Sequence, residues 1–201
     1  MLKIAILAST NGTDMQAIID EAEAGKLDAD LAIVIANKEC GAIERAKKHK
    51  IKTLIIDPKG KEREEYDTEV AAELDEEEVE LILLIGYMRY VSEWFVDKYR
   101  NRIMNIHPSL LPAFAGGMDK NVHQEVLDHG CKVTGCTLHF VDEGADTGPI
   151  IAQAAVPIDE DETIDSLKDK VQKEEQRLLI QGIKWFIEDK LIVEGKIVRI
   201  G

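Results

Sequence analysis

Lys3-Ile4-Ala5-Ile6-Leu7-Ala8-Ser9-Thr10-Asn11-Gly12-Thr13-Asp14 reads as an apolar run that breaks into a polar, glycine-bearing turn. Asp14–Ala24 then has helical periodicity, and Leu31–Ala36 returns to a short apolar run. The alternation repeats. Ala42–His49 predicts a helix, Thr53–Ile56 a strand, Glu62–Leu74 a helix and Glu80–Ile85 a fully buried fourth strand. Ser92–Tyr99 predicts a helix with Ser92 as its N-cap, and Arg102–Ile106 a fifth strand. Near-continuous apolar strands between amphipathic helices imply an α/β, doubly wound, mostly parallel sheet with helices on both faces.

Beyond residue 106 the rhythm changes. Asn121–His129 predicts a helix, and Val133–Phe140 and Pro149–Pro157 predict strands joined by a loop rich in Gly and Asp. A long helix starts near Thr163 and runs to about Asp189, and Leu191–Ile200 predicts a hairpin around Glu194-Gly195. The acidic run Asp75–Glu80 is expected to be a solvated turn. With no linker or repeat, residues 1–201 are expected to form a single domain with a mixed C-terminal extension.

The composition excludes several classes. The net charge is −14, from 39 acidic and 25 basic residues, and such a field repels an extended nucleic-acid backbone. A single phosphate is still compatible, because backbone N–H groups at a helix start need no net positive charge. No apolar stretch approaches membrane-span length, so the expectation is a cytoplasmic chain with no membrane partner. Three cysteines, Cys40, Cys131 and Cys136, are too few for a disulfide framework. His129, Cys131, Cys136 and His139 superficially suggest a metal site. On a strand, however, Cys136 and His139 face opposite sides, so no metal is expected and Cys136 reads as a buried thiol.

Three segments carry candidate chemistry, each at a strand end. Ser9–Asp14 places Gly12 and the N–H groups of Thr13 and Asp14 at a helix start, either to donate to a phosphate or to form a turn capped by Thr13 or Asp14. Asn105-Ile106-His107-Pro108 puts an amide and an imidazole two residues apart, so both side chains leave one side of the strand. An amide N–H suits a developing oxyanion and an imidazole moves protons near neutral pH; the alternative is a pair that satisfies turn backbone. Asp142-Glu143-Gly144-Ala145-Asp146-Thr147-Gly148-Pro149 forces a compact turn that could bring Asp146 to orient His107, or could leave it capping its own loop. Thr137 and His139 share a strand face that could reach the same cleft, a supporting role.

Asn105–Pro112 resembles the signature of the folate-dependent formyltransferases, and His139-Phe140-Val141 followed by Asp146–Ile150 resembles that family's second half. Similarity to the glycinamide ribonucleotide branch extends along Met15–Ile19, Asn37-Lys38, Glu44–Ala46, Gly86–Arg89 and Val171-Gln172. The resemblance implies a Rossmann-like formyltransferase fold and transfer of the formyl group of 10-formyltetrahydrofolate to the amine of glycinamide ribonucleotide in purine biosynthesis. It maps the catalytic trio onto Asn105, His107 and Asp146. The substrate phosphate and ribose map onto Gly12, Thr13, Asp14, Gln172 and Glu175. The folate maps onto Arg63, Met88, Arg89, Tyr90, Val91 and Asn105, and onto Asp142, Glu143, Gly144, Ala145 and Asp146. The implied partners are small molecules, the ribonucleotide and the reduced folate, and the oligomeric state stays open.

Two departures stand out. The family's first loop usually has Gly at the place of Thr10 and Asn at that of Asp14; Asp14 is expected to turn its carboxylate away. After Pro112, Gly116-Gly117-Met118-Asp119-Lys120 replaces the usual Gly-x-His, so closure over substrate is expected to differ there. A formyltetrahydrofolate deformylase-like hydrolase and a non-catalytic nucleotide- or folate-binding module remain the alternatives.

Overall fold

The structure is a computed structural model that describes residues 1–116 and 121–201. These form two compact units, Met1–Asn105 with Val141–Glu143, and Ile106–Phe140 with Gly144–Gly201.

In the first unit, β1 (Leu2–Ala8), α1 (Thr13–Glu23), β2 (Ala29–Ala36), α2 (Gly41–Lys48), β3 (Lys52–Ile55), α3 (Arg63–Glu76), β4 (Leu81–Ile85) and α4 (Glu93–Lys98) alternate, and β5 (Ile103–His107) follows, Ile106 and His107 already belonging to the second unit. The strands run in the order β3-β2-β1-β4-β5, and each neighbouring pair is parallel. Every residue of β4 is buried, as its unbroken apolar run predicts for a strand covered on both faces. On one side Tyr66, Phe95 and Tyr99 pack with Ala5, Leu7, Ile33 and Ile82 into the core. Ser92 caps α4 as expected, its Oγ accepting from Phe95 N at 3.3 Å. The acidic run departs from expectation: Asp75 and Glu76 form the last turn of α3, and only then does the chain turn, through Glu78 at φ 55°. The cause is tertiary. Tyr99 Oη donates to Asp75 at 2.9 Å and Lys98 pairs with it at 2.9 Å, so the helix end is held from α4.

The second unit contains α5 (Val122–Asp128), β6 (Val133–Phe140), β7 (Ile150–Pro157), α6 (Ile164–Ile187), β8 (Leu191–Glu194) and β9 (Ile197–Ile200). β6 and β7 are antiparallel, with a register shift between Leu138 and His139. β9 pairs in parallel with β7 and antiparallel with β8, the expected hairpin. α6 starts at a reciprocal capping box between Thr163 and Ser166 and packs on β6 and β7 through Leu167, Val171, Leu178 and Leu179. The expected α/β alternation followed by a mixed segment is the architecture found. No helix among the described residues is long and apolar enough to cross a membrane.

Candidate active site

In the first unit the loop after β1 and the loop after β4 are tied together. Ser9 N donates to Gly86 O at 3.0 Å, and Ser9 Oγ accepts from Met88 N at 2.9 Å. Gly86 has φ 58°, and a Cβ there would stand 2.0 Å from Thr10 Oγ1. Thr10, the departure from the family pattern, therefore occupies space that only a glycine at 86 leaves open. The α1 N-cap is Gly12 at φ 58°, with no side-chain cap bond, which corrects the reading of Thr13 or Asp14 as the cap. The left-handed backbone and a close approach select glycine, since a Cβ at 12 would lie 2.8 Å from Ala42 Cβ. Asp14 follows in the first turn and is 8% exposed.

The segment assigned to the folate lies at the same strand end. Met88 is 39% and Tyr90 45% exposed, large apolar surface on a short loop, while Val91 packs against the core. Arg63, the first residue of α3, has its guanidinium 6.0 Å from the Tyr90 ring, so these two expected residues are brought together. Arg89 instead lies over the Tyr66 ring at 4.2 Å. Glu143 pairs with Arg100 at 2.8 Å. A hydrogen bond from its own backbone, then Arg100, holds the Glu143 carboxyl below its ordinary range.

The second unit gathers titratable groups around one carboxylate. His107 ends β5 and is 7% exposed; its Nδ1 lies 3.4 Å from Asp146 Oδ2 and its Nε2 3.0 Å from Phe114 O. The same Asp146 oxygen accepts Gly116 N at 2.9 Å. His139 Nε2 lies 3.8 Å from Asp146 Oδ1. Asp146 itself has φ 55°, a left-handed conformation that aspartate tolerates better than most residues. At 144, a Cβ would meet Thr147 Oγ1 at 2.0 Å. Asn105 precedes His107 by two positions on β5 and pairs in register with Leu84.

Thr137 supports this cluster indirectly. Its Oγ1 donates to Ser109 O at 2.7 Å and accepts from Leu111 N at 3.0 Å and from Gln153 Nε2 at 2.9 Å. It therefore fastens the segment leaving His107 to β6 and β7. Gln153, which also donates to Leu111 O at 3.0 Å, was not among the expected site residues. Its only signal in the sequence is a polar residue within the apolar run Ile150–Pro157. The departures at Gly117, Met118, Asp119 and Lys120 lie outside the described residues.

Of the residues assigned to the ribose, Glu175 is 8% exposed on α6 and Gln172 is half-buried one turn earlier. Burial pushes the Cys136 thiol up to about 12, with Glu175 and Glu174 adding to the shift. That makes it the inert buried thiol expected of its strand position. A feature the sequence reading passed over is a groove of about 410 Å³ between α1 and α2, lined by Asn11, Thr13, Gln16, Arg45 and Lys48. Arg45 Nη1 donates to Gln16 Oε1 at 2.6 Å. The two residues fall in Met15–Ile19 and Glu44–Ala46, stretches already marked by the family resemblance, and that was the available signal.

With this geometry in place, comparison with known proteins gives a consistent answer. Residues 2–183 match the family described as formyl transferase. The chain is 39% identical to phosphoribosylglycinamide formyltransferase of Bacillus subtilis over 92% of its own length and 94% of that protein. It is 38% identical to the trifunctional purine biosynthetic protein adenosine-3 of Bos taurus, over 99% of its own length. It spans about a fifth (19%) of that much longer relative. Among solved structures, glycinamide ribonucleotide transformylase 1 from Symbiobacterium toebii superposes with a TM-score of 0.94 at 41% identity, covering 100% of this chain and 94% of that one. A match over so much of the chain, on residues that include the β5 signature and the Asp146 turn, establishes that this chain belongs to the formyl transferase family.

Proposed function

We propose that the chain transfers the formyl group of 10-formyltetrahydrofolate to the amine of glycinamide ribonucleotide, a step of purine biosynthesis. The observation that carries the reading is the His107–Asp146 pair at 3.4 Å, with Asn105 two residues earlier on the same strand. The relatives named as phosphoribosylglycinamide formyltransferases support the same reading.

In this reaction the neutral amine attacks the formyl carbon and a tetrahedral oxyanion forms. The Asn105 amide and the protonated imidazole of His107 stabilise that oxygen, and Asp146 orients the ring and pairs with its charge. A proton passes from the attacking nitrogen to the departing folate nitrogen, the C–N bond to the folate breaks, and the formyl amide is left on the ribonucleotide. Removing one such oxyanion donor typically costs about 2.7–4 kcal/mol of transition-state stabilisation. Aligning the two reactants contributes roughly 7–11 kcal/mol, so positioning matters as much as proton transfer. The Nε2 of His107 now faces the Phe114 carbonyl, a contact that the formyl oxygen must replace.

We assign Gly12, Thr13 and Asp14 to the substrate phosphate, Gln172 and Glu175 to its ribose, and Arg63, Met88–Val91 and Asp142–Asp146 to the folate. The step as written uses no metal. The test is a product assay with both substrates. Formylated ribonucleotide is the expected product; free formate released without the ribonucleotide would support the hydrolase alternative. Binding of both ligands with no turnover would support the non-catalytic one.

A further inference from the structure

Lys190-Leu191-Ile192-Val193-Glu194 carries a base at one end, an acid at the other and three apolar residues between them. Its last four residues are β8, which ends the strand order β6-β7-β9-β8 of the second unit. Among the described residues β9 is its one strand neighbour. The hairpin decides which backbone groups face outward. Gly201 N donates to Lys190 O at 3.0 Å, and the pairing continues Leu191–Ile200, Ile192–Arg199, Val193–Val198 and Glu194–Ile197. Hydrogen-bonded pairs alternate along an antiparallel ladder, so Lys190, Ile192 and Glu194 turn their backbone groups toward β9. Leu191 and Val193 turn theirs to the open edge, a template for a further strand. The side chains of Lys190, Ile192 and Glu194 leave one face, on which Ile192 is 50% exposed and Ile197, paired with Glu194, 59%.

We propose that the occupant of this edge is β8 of a second copy of the chain, running antiparallel about a two-fold axis at Ile192. Three symmetric registers let the outward residues bond one another. With Leu191 on the axis, Lys190 would face Ile192 of the copy; with Val193 on it, Ile192 would face Glu194. With Ile192 on the axis, Leu191 and Val193 form hydrogen-bonded pairs on both sides, Ile192 meets its own copy, and Lys190 stands opposite Glu194 at each end. That register alone matches charge to charge and apolar to apolar. Lys190 now pairs with Glu188 at 2.6 Å and Glu194 with Arg199 at 2.9 Å. Exposed pairs of this kind are worth little, so exchanging one for its counterpart across the axis costs little. A net charge of −14 opposes self-association and β8 has only four residues, so the dimer is weak and concentration-dependent. The inference is independent of the reaction the chain catalyses.

The test is sedimentation velocity of the full chain over a wide concentration range, at about 0.15 M salt so that long-range repulsion is screened. The mean mass should climb from monomer toward dimer. Val193→Pro removes an outward N–H that bonds nothing within the hairpin, so the fold should hold while dimerisation is lost. Lys190→Glu sets like charges opposite each other at both ends and should weaken association on the order of 10-fold. Adding Glu194→Lys to that variant should restore it. A third arm reads the register, with Cys40 and Cys131 replaced by Ser. Ile192→Cys places two thiols on the axis with Cα atoms about 4.5 Å apart, within disulfide range, and mild oxidation should give a covalent dimer. Glu194→Cys, whose copies stand roughly 13 Å apart, should not cross-link. A monomer at every concentration overturns the proposal. So does a dimer indifferent to Val193→Pro and to the charge exchange, because another surface then holds it. Cross-linking of Glu194→Cys in preference to Ile192→Cys overturns the register.

Discussion

Thr137 Oγ1 donates to the carbonyl oxygen of Ser109 across 2.7 Å, binding the middle of β6 to the segment that leaves His107. Because the same oxygen accepts from Leu111 N and Gln153 Nε2, an isosteric apolar residue would orphan several buried groups at once. Thr137→Val is expected to destabilise the protein by about 2–4 kcal/mol, given roughly 1–3 kcal/mol for each unsatisfied buried group and partial rearrangement. Thr137→Ser, which keeps the hydroxyl, should cost less than about 1.5 kcal/mol. Urea denaturation of the two variants checks the difference.

Gly12 holds the α1 start in a left-handed conformation and against Ala42. Gly12→Ala is expected to lose about 1–3 kcal/mol through backbone strain and overpacking. If this turn receives the phosphate, KM for the ribonucleotide should rise while KM for the folate stays nearly constant. Steady-state kinetics with each substrate varied in turn separates the two effects.

Asp67 is 2% exposed, and burial raises its carboxyl above the ordinary 3.8, against hydrogen bonds from Ser92 that favour the charged form. The folded state therefore holds this proton more tightly than the unfolded chain does. Its contribution is fully present below pH 3.8 and is lost as pH rises through the folded value. Asp67→Asn keeps an acceptor for Ser92 N, which now bonds Asp67 Oδ2 at 2.5 Å, and removes the charge. Its stability relative to the unsubstituted protein should thus increase as pH rises from 3.8 toward neutrality, a trend that denaturation at several pH values would reveal.

Burial raises the Cys136 thiol to about 12, whereas Cys40 and Cys131 are both partly exposed. A thiol reagent at pH 8 should modify Cys40 and Cys131 in the native protein and reach Cys136 only on unfolding. Peptide mapping after timed alkylation measures the order.

The strands were legible where burial on both faces writes itself as an unbroken apolar run. Leu81–Ile85 is the clearest case. The end of α3 was not, because Asp75 and Glu76 are helical through contacts with Lys98 and Tyr99 that lie far along the chain. Gly12 was recognised as permissive backbone, but the reason no other residue fits, its approach to Ala42, is a packing fact between two helices. The same holds for Gln153, whose partner Thr137 is set by the β6–β7 register. Asn105, His107 and Asp146 were singled out by spacing and family resemblance together. The register shift between Leu138 and His139, beside this cluster, is one that no periodicity announces.

The most direct measurement is the rate at which purified protein formylates glycinamide ribonucleotide from 10-formyltetrahydrofolate, compared with His107→Ala and Asp146→Asn. Robust turnover by the unsubstituted chain, with each variant folded but slowed on the order of 100-fold or more, is the expected result. A fully active Asp146→Asn would contradict the role given to the carboxylate beside His107.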